Sequence, residues 1–348
     1  MLKKSNIRTF NMKKLIIFFL SHLLFFAGFI FCKKIKTFEA LLRPHQIAVD
    51  KSQLYIADGP TVYIYSLKDL SFKNKFGKAG EGPEEFKIVG NREIITDVSS
   101  EYIIVNSIGR VSFFTKEGTF IKEINTVFGR NFKPMGKYFV GFHYISRKKG
   151  SSDRLKAVKI YDSKLNEIKE IYRMEGRYER GKGYRMFCEP HVFRVYKDKI
   201  FLGGREDFNI EILNEKGKKL FFIKQEYERV KVREKHKNAI LNHIDTSPRY
   251  KDIRDFFKRV LIFPKDFPAI RDFFVVDGKV YVLTYKKKEE NTELFVFDID
   301  GHFIKKTFIP MVEDNLHVVT NPYVFGNGQL YQLIESENEE WELHVHEL

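Results

Sequence analysis

PHQIAVDKSQLYIADG, residues 44–59, and PHVFRVYKDKIFLGG, residues 190–204, are two copies of one pattern within a single chain. Each begins with Pro-His, continues through apolar residues to a valine, passes a short polar turn and ends in a second apolar segment. Strands show alternation with a period of two, and a short polar turn joins two antiparallel strands. The pattern therefore predicts one β-hairpin, written twice.

The second strand of this hairpin recurs along the whole chain, each time after a turn and before a third strand. It occurs as LYIAD (54–58), YIIVNS (102–107), YFVGFHYI (138–145), IFLGG (200–204), VYVLTY (280–285) and LYQLIE (330–335). A fourth strand follows in every unit but the last, which ends at Leu348, and a spare strand, IKTFEALL (35–42), precedes the first unit. A ring in which the spare strand completes the last unit removes the unpaired edges that an open sheet would expose. The sequence predicts an all-β, six-bladed β-propeller closed by an N-terminal strand.

One segment, residues 226–266, lacks strand alternation and separates the fourth and fifth blades. Ser247 and Pro248 have the residue types of a helix start, and apolar residues then recur at helical spacing from Ile253 until Pro264. A second, more polar helix is expected over 231–243. The segment predicts a helical insertion, either a cap on one face of the propeller or a lid or partner-docking element.

The first 31 residues are interpreted as a signal peptide or an N-terminal membrane anchor. Lys13 and Lys14 precede an apolar run, residues 15–31, and Cys32 follows directly. Lipid attachment to Cys32 is one expectation, although Phe29-Ile30-Phe31 lacks the small residue that such processing prefers; an uncleaved anchor and ordinary cleavage are the alternatives. Residues 32–348 then form the propeller, in an extracytoplasmic, membrane-anchored position in the bacterial periplasm or cell envelope.

The formal net charge of the 348-residue chain is +15, and its lysines are dispersed along the strands. Nucleic-acid binding requires basic residues that are clustered on one face, so this composition argues against it. We expect a monomeric propeller whose partner is a protein or a glycan.

FGKAGEGPEEF, residues 76–86, has the glycines of a phosphate-binding loop but not its context. Ala79 follows Gly77-Lys78, where a P-loop needs a hydroxyl, and no helix is predicted next. The stretch instead resembles the sequence motif at the end of a blade in NHL-repeat propellers. It matches that motif at Gly77, Gly80, Gly82, Pro83 and Phe86. The whole chain resembles six-bladed propellers that occur as exported bacterial lipoproteins. That resemblance implies the architecture and a binding role more than a reaction.

Propellers bind ligands in the central channel or at the loops of one face. We therefore nominate the residues at the starts of the innermost strands: His45, Arg92, Arg130, His191, Arg271 and Tyr323. Their cationic and proton-donating side chains would suit a small anionic or polar ligand. The alternative is that they are ordinary solvated channel residues.

Enzymatic propellers of the lactonase type hold a divalent cation through acidic and amide side chains of several blades. The innermost strands offer Asp97, Asn131, Asp272 and Asn321, oxygen ligands of the kind that calcium prefers. These four residues do not align with a glutamate–asparagine–aspartate set of cation ligands. The preferred interpretation is a binding or scaffold module without a cofactor, and the alternative is a calcium-dependent hydrolase or lactonase that uses the channel.

Overall fold

The computed structural model describes residues 33–88, 93–126, 129–146, 154–175, 178–179, 183–187, 193–204, 206–247, 250–313 and 321–348. The predicted leader, residues 1–31, and the candidate lipidation site Cys32 lie outside these residues.

Six four-stranded antiparallel sheets form the blades, each running from an innermost to an outer strand. Blade 1 contains β2 (Pro44–Val49), β3 (Gln53–Asp58), β4 (Thr61–Ser66) and β5 (Phe72–Phe76), and blade 2 contains β8 (Ile95–Val98), β9 (Ile103–Ser107), β10 (Arg110–Phe114) and β11 (Phe120–Asn125). Blade 3 contains β12 (Gly129–Met135), β13 (Tyr138–Ser146), β14 (Arg154–Tyr161) and β15 (Glu167–Glu175), and blade 4 contains β18 (Phe193–Tyr196), β19 (Lys199–Gly203), β20 (Asn209–Asn214) and β21 (Lys219–Lys224). Blade 5 contains β23 (Asp272–Val276), β24 (Lys279–Lys288), β25 (Asn291–Asp298) and β26 (Phe303–Pro310), and blade 6 contains β27 (Tyr323–Gly326), β28 (Gln329–Glu335), β29 (Trp341–Glu347) and β1 (Lys33–Phe38). The predicted six-bladed propeller is confirmed.

The N-terminal strand closes the ring, as the sequence predicts. β1 pairs antiparallel with β29, from Lys33 opposite Val345 to Phe38 opposite Trp341. Phe38 is buried and its ring lies 4.7 Å from that of Tyr65 in blade 1. The closing strand thus joins the last blade to the first through both backbone hydrogen bonds and side-chain packing.

Six of the seven apolar clusters in the described structure lie between neighbouring blades, one at each interface. Blades 1 and 2, for example, share a cluster that includes Ile64, Phe86 and Phe114, all fully buried. Because each blade buries both faces of its inner strands, those strands read as nearly continuous apolar runs rather than as strict alternations. The aromatic-rich composition supplies the volume for these wedge-shaped interfaces.

The turns divide the ring into two faces. We call the face that carries the turns between first and second strands, and between third and outer strands, the hairpin face; the opposite face, which carries the blade-to-blade connectors, is the connector face. On the hairpin face the third-to-outer turns of four blades begin with Thr115, Asp162, Asn214 or Asp298, whose side-chain oxygen accepts backbone N–H groups two and four residues on. These side chains fix the turns that the sequence pattern predicts.

Asp50 links three blades on the hairpin face. Its Oδ1 accepts the backbone N–H groups of Ser52 and Gln53, both at 2.8 Å. Its Oδ2 accepts hydrogen bonds from the Tyr55 hydroxyl and from Lys116 of blade 2, and its carbonyl accepts the Asn327 amide of blade 6. Burial alone would raise the pKa of Asp50, but these hydrogen bonds outweigh it and lower that pKa to about 2.

Asp50→Asn should lower the free energy of unfolding at neutral pH by about 1 kcal/mol, a figure reduced for the partial solvent exposure of the site. A depressed folded-state pKa means that the contribution is complete above the unfolded value near 4 and is lost as the pH falls towards 2. Urea denaturation at a series of pH values would therefore show wild type and variant converging below pH 4. An equal difference at every pH would contradict the assignment, and the exposed Asp198→Asn, in the corresponding turn of blade 4, serves as the control.

The stretch 76–86 connects blades 1 and 2, which agrees with its interpretation as a connector. It contains two short parallel strands, β6 (Lys78–Ala79) and β7 (Glu85–Phe86). The Gly82 amide donates to the Glu85 carboxylate, and Arg110 of blade 2 donates to the Gly82 and Glu81 carbonyls. The Gly82 amide is thus bonded by the loop's own Glu85 and the Gly80 amide by the Phe86 carbonyl, so neither is open to a phosphate. The Phe86 ring fills the interface between the two blades.

Two helices, α1 (Glu234–Thr246) and α2 (Arg254–Val260), lie between blades 4 and 5, as predicted. The predicted helix start at Ser247 is wrong. Ser247 is the C-cap residue of α1, and its backbone N–H donates to the His243 carbonyl. Ile253 is the N-cap residue of α2, where Ile253 and Phe256 are exposed. The backbone hydrogen bonding of α1 extends to Ser247, so α2 begins six residues beyond the predicted start.

The insertion packs against blade 5 through α1. Ile240 and Ile244 of α1 are buried in a cluster with Phe267, whose ring stacks on Tyr285 of β24 at 4.4 Å. The remaining short strands, β16 (Tyr178–Glu179), β17 (Gly183–Arg185) and β22 (Leu261–Ile262), form a small sheet beside it.

Candidate functional site

The central channel holds a cavity of about 680 Å³, lined by the innermost strands of all six blades. Turn residues Ser99, Ser100, Glu101 and Lys197 also line it, so the cavity reaches the hairpin face. Apolar walls come from Val195, Phe274 and Phe325, among others. A cavity of this size and mixed lining is in the range that small-molecule sites occupy.

A network centred on Asp272 joins three blades in the wall of this cavity. Arg194 of blade 4 donates to Asp272 Oδ1 at 2.9 Å, and the Tyr323 hydroxyl of blade 6 donates to Oδ2 at 3.0 Å. The Arg194 guanidinium also lies 5.1 Å from the centre of the Phe274 ring. Burial and the adjacent Asp272 carboxylate raise the pKa of Tyr323 well above its ordinary value, so its hydroxyl stays a donor.

Two further cations belong to the cavity. Lys133 of blade 3 forms an ion pair with Asp97 of blade 2. Lys197 is exposed in the turn of blade 4, and among the described residues it makes no ion pair. Arg194, Lys133 and Lys197 thus bring three cationic groups to one cavity, of which two are neutralised by a carboxylate of the protein.

Amide side chains hold the innermost strands in place. Gln46 donates to the Thr96 carbonyl at 2.6 Å and accepts the Thr96 N–H at 2.9 Å. Asn106 makes the same two-way contact with the backbone of Phe132, in the next blade. These contacts satisfy buried backbone groups between blades and keep the walls of the cavity rigid.

The described members of the six nominated residues do not share one site. Tyr323 lines the cavity. His45 is mostly buried, and its Nε2 hydrogen bonds to the Ile94 carbonyl at 2.9 Å, so it joins blade 1 to the start of blade 2. Arg92 and His191 lie outside the described residues, as does the side chain of Arg130, whose backbone belongs to β12.

Arg271, the remaining nominated residue, is buried in an ion pair rather than exposed to the channel. Its guanidinium donates to Glu313, whose carboxylate also pairs with Lys287 at 2.8 Å and accepts the Thr292 hydroxyl at 2.7 Å. Burial alone would lower the pKa of Arg271, but the Glu313 charge outweighs it and raises that pKa. Arg271 Nη2 has no hydrogen-bond partner within the part of the chain that the structure describes.

Sequence reasoning missed Arg194, Lys133 and Lys197. Arg194 is the second residue of β18, Lys133 the fifth residue of β12, and Lys197 lies in the turn after β18. The usable signal was a basic residue inside an otherwise apolar strand, as in FRVY (193–196). Of the nominated calcium ligands, Asn131 and Asp97 line the cavity, and both Asp97 and Asp272 are paired with cations. Within the described residues, no three His, Cys, Asp or Glu side chains form a group that could hold a metal ion.

No protein-family model and no curated protein sequence matches the chain. Solved structures share its fold. A provisionally assigned exported protein of Bacteroides fragilis NCTC 9343 has a TM-score of 0.52 at 13% identity, over 91% of this chain and 94% of that chain. A member of the DUF4221 family from Bacteroides vulgatus ATCC 8482 has a TM-score of 0.51 at 12% identity, over 91% of this chain and 99% of that chain. At these identities the likeness establishes the fold alone, and the NHL type stays a prediction.

Within the described ranges, neither helix is long and apolar enough to cross a membrane.

Proposed function

We propose that the chain is an exported, membrane-anchored β-propeller whose channel binds a small anionic ligand, an acidic glycan fragment in particular. The observation that carries this proposal is the cavity with Arg194, Lys133 and Lys197 in its lining, of which Lys197 makes no ion pair with the described residues. Guanidinium and ammonium groups bind carboxylate or phosphate through charge-assisted hydrogen bonds. The aromatic walls offer apolar surface to the framework that carries the charge.

Three observations support the exported, anchored location. The basic residues and apolar run before Cys32 are typical of an export signal or anchor. The whole chain resembles exported bacterial propeller lipoproteins. Both structural neighbours are bacterial, and one of them is assigned to export. We include lipidation of Cys32 and the NHL type in this proposal.

A calcium-dependent hydrolase is the second candidate, but the carboxylates that would hold the calcium ion are already paired with cations of the protein. Asp97 is paired with Lys133, and Asp272 with Arg194 and Tyr323. A calcium ion would have to compete with those cations for the same oxygen atoms. Calcium binding in the channel stays a prediction.

Titration calorimetry with oligogalacturonate and with a neutral galacto-oligosaccharide tests the proposal. We expect binding of the acidic sugar only, and Arg194→Gln and Lys197→Gln should each weaken it about tenfold, since one charged hydrogen bond contributes about 1.5–3 kcal/mol before compensation. Lys279→Gln is the matched control, because Lys279 is exposed on the hairpin face but does not line the cavity.

Equal affinity for the two sugars, or an equal effect of Lys279→Gln, would contradict the proposal. Binding that disappears when calcium is chelated would favour the hydrolase instead.

A further inference from the structure

Every outer strand carries a β-bulge near the hairpin face. The extra residues are Ile35, Lys73, Ile121, Ile168, Leu220 and Ile304. The five apolar ones are 46–53% exposed. A bulge redirects a side chain, and an exposed aliphatic residue at the same place in five blades is a repeated feature rather than scattered surface.

Exposed aromatic residues lie beside these bulge residues in only two of the blades, so the exposed apolar surface is not distributed evenly around the propeller. Phe72 precedes the bulge residue of blade 1, and Phe303 precedes that of blade 5; both are 54% exposed. Among the described side chains, the outer strands of the other four blades carry no exposed aromatic residue. Blades 1 and 5 are the two neighbours of blade 6, so the exposed apolar surface is greatest around that blade.

Charge follows the same asymmetry. The outer strands of blades 5, 6 and 1 contain seven lysines and no carboxylate. The outer strands of blades 2, 3 and 4 contain five basic residues and four carboxylates. We call the outer strands of blades 5, 6 and 1 the basic arc.

The chain enters the propeller at the centre of the basic arc. Lys33, the first residue of β1, pairs with Val345 towards the end of β29, and Leu348 hydrogen bonds to the hairpin turn at Gly328. The hairpin end of β1 is therefore the end to which residues 1–32 are joined. The apolar run 15–31 stands one residue before this point in the sequence.

We propose that the basic arc lies on an anionic lipid bilayer, the same bilayer that holds the anchor. Phe72, Phe303 and the aliphatic bulge residues enter the interface, and the lysines contact the phosphate headgroups. Contact confined to one arc leaves blades 2, 3 and 4, with their side of the cavity mouth, in water. This orientation rests on the anchor proposed above and is independent of what the channel binds.

Depth-dependent fluorescence quenching tests the orientation on the full chain in vesicles of phosphatidylcholine and phosphatidylglycerol with brominated acyl chains. Trp341 is the single tryptophan, so Trp341→Phe gives a dark background for Phe303→Trp, Phe72→Trp and the control Ile168→Trp. Ile168 is matched to Phe303 in exposure, at 53% and 54%, but lies in blade 3. We expect quenching several-fold stronger at 303 and 72 than at 168, and weaker when phosphatidylglycerol is omitted.

Weak quenching at all three positions would overturn the orientation, and equally strong quenching would show a flat contact of the whole ring instead of an arc. Protein that fails to sediment with vesicles would overturn the anchor and the orientation together, whereas the sugar titration would stand unaffected. Hydrogen exchange on the unsubstituted chain gives a second measurement. Vesicles should slow exchange in β1, β5 and β26 but not in β11 or β15; no difference would contradict the proposal.

Discussion

Gly77→Ala is expected to lower the free energy of unfolding by about 2–5 kcal/mol. Gly77 has φ +84°, a backbone conformation that costs a residue with a Cβ about 1–2 kcal/mol. An added Cβ would lie 2.3 Å from Phe86 Cε2 and 2.6 Å from the Pro60 carbonyl oxygen. Phe86 is fully buried between blades 1 and 2 and cannot move aside without disturbing that core, which adds the cost of overpacking.

Gly59→Ala is the matched control for this prediction. Gly59 also has a positive φ, +55°, but a Cβ there would meet no atom within 4 Å. Its substitution should therefore cost about 1 kcal/mol, the backbone part alone. Urea denaturation of both variants distinguishes the cost of the clash with Phe86 from the cost of the positive φ. Equal losses of stability would show that Phe86 does not restrict residue 77.

The sequence predicted the blades because their signals are local. A hairpin such as 44–58 is specified by its own apolar pattern and turn, and six copies with one spare strand leave a closed ring as the economical arrangement. The connector 76–86 was predictable for the same reason, since its glycines and Pro83 specify a turn without reference to other blades. The start of α2 was not, because Ser247 has the residue type of a helix start but is the C-cap of α1, through a backbone hydrogen bond that its residue type does not indicate.

The channel was harder to predict because its contacts join distant residues. Arg194 and Asp272 are 78 positions apart, and Lys133 and Asp97 are 36 apart. Whether a basic side chain such as Arg271 reaches the cavity or a buried carboxylate depends on how neighbouring blades meet and on the strand register, which one sequence specifies to within a few residues. The cavity does contain cations, Arg194, Lys133 and Lys197, but these are not the basic residues that were nominated from the sequence.

Glu313→Gln is expected to be the most destabilising change of a single charge, at about 3–5 kcal/mol. The side chain of Glu313 is fully buried and pairs with two cations: Arg271, whose side chain is 6% exposed, and Lys287. Without the carboxylate these two positive groups face each other in a site of low dielectric constant, and the Arg271 guanidinium loses its only described ion pair. Glu342→Gln, which removes the partner of the half-exposed Lys34, should cost less than about 1 kcal/mol.

Removing the cation instead of the carboxylate distinguishes the cost of an unpaired buried charge from the cost of lost packing. Arg271→Met should cost less than Glu313→Gln, because it leaves Glu313 paired with Lys287 and bonded to Thr292. The double variant should be more stable than Glu313→Gln alone, since removing the guanidinium relieves the uncompensated charge, and denaturation of all three gives the coupling energy. Additive losses would mean that the two side chains act independently, and a wild-type stability for Glu313→Gln would mean that the cations are neutralised by other groups.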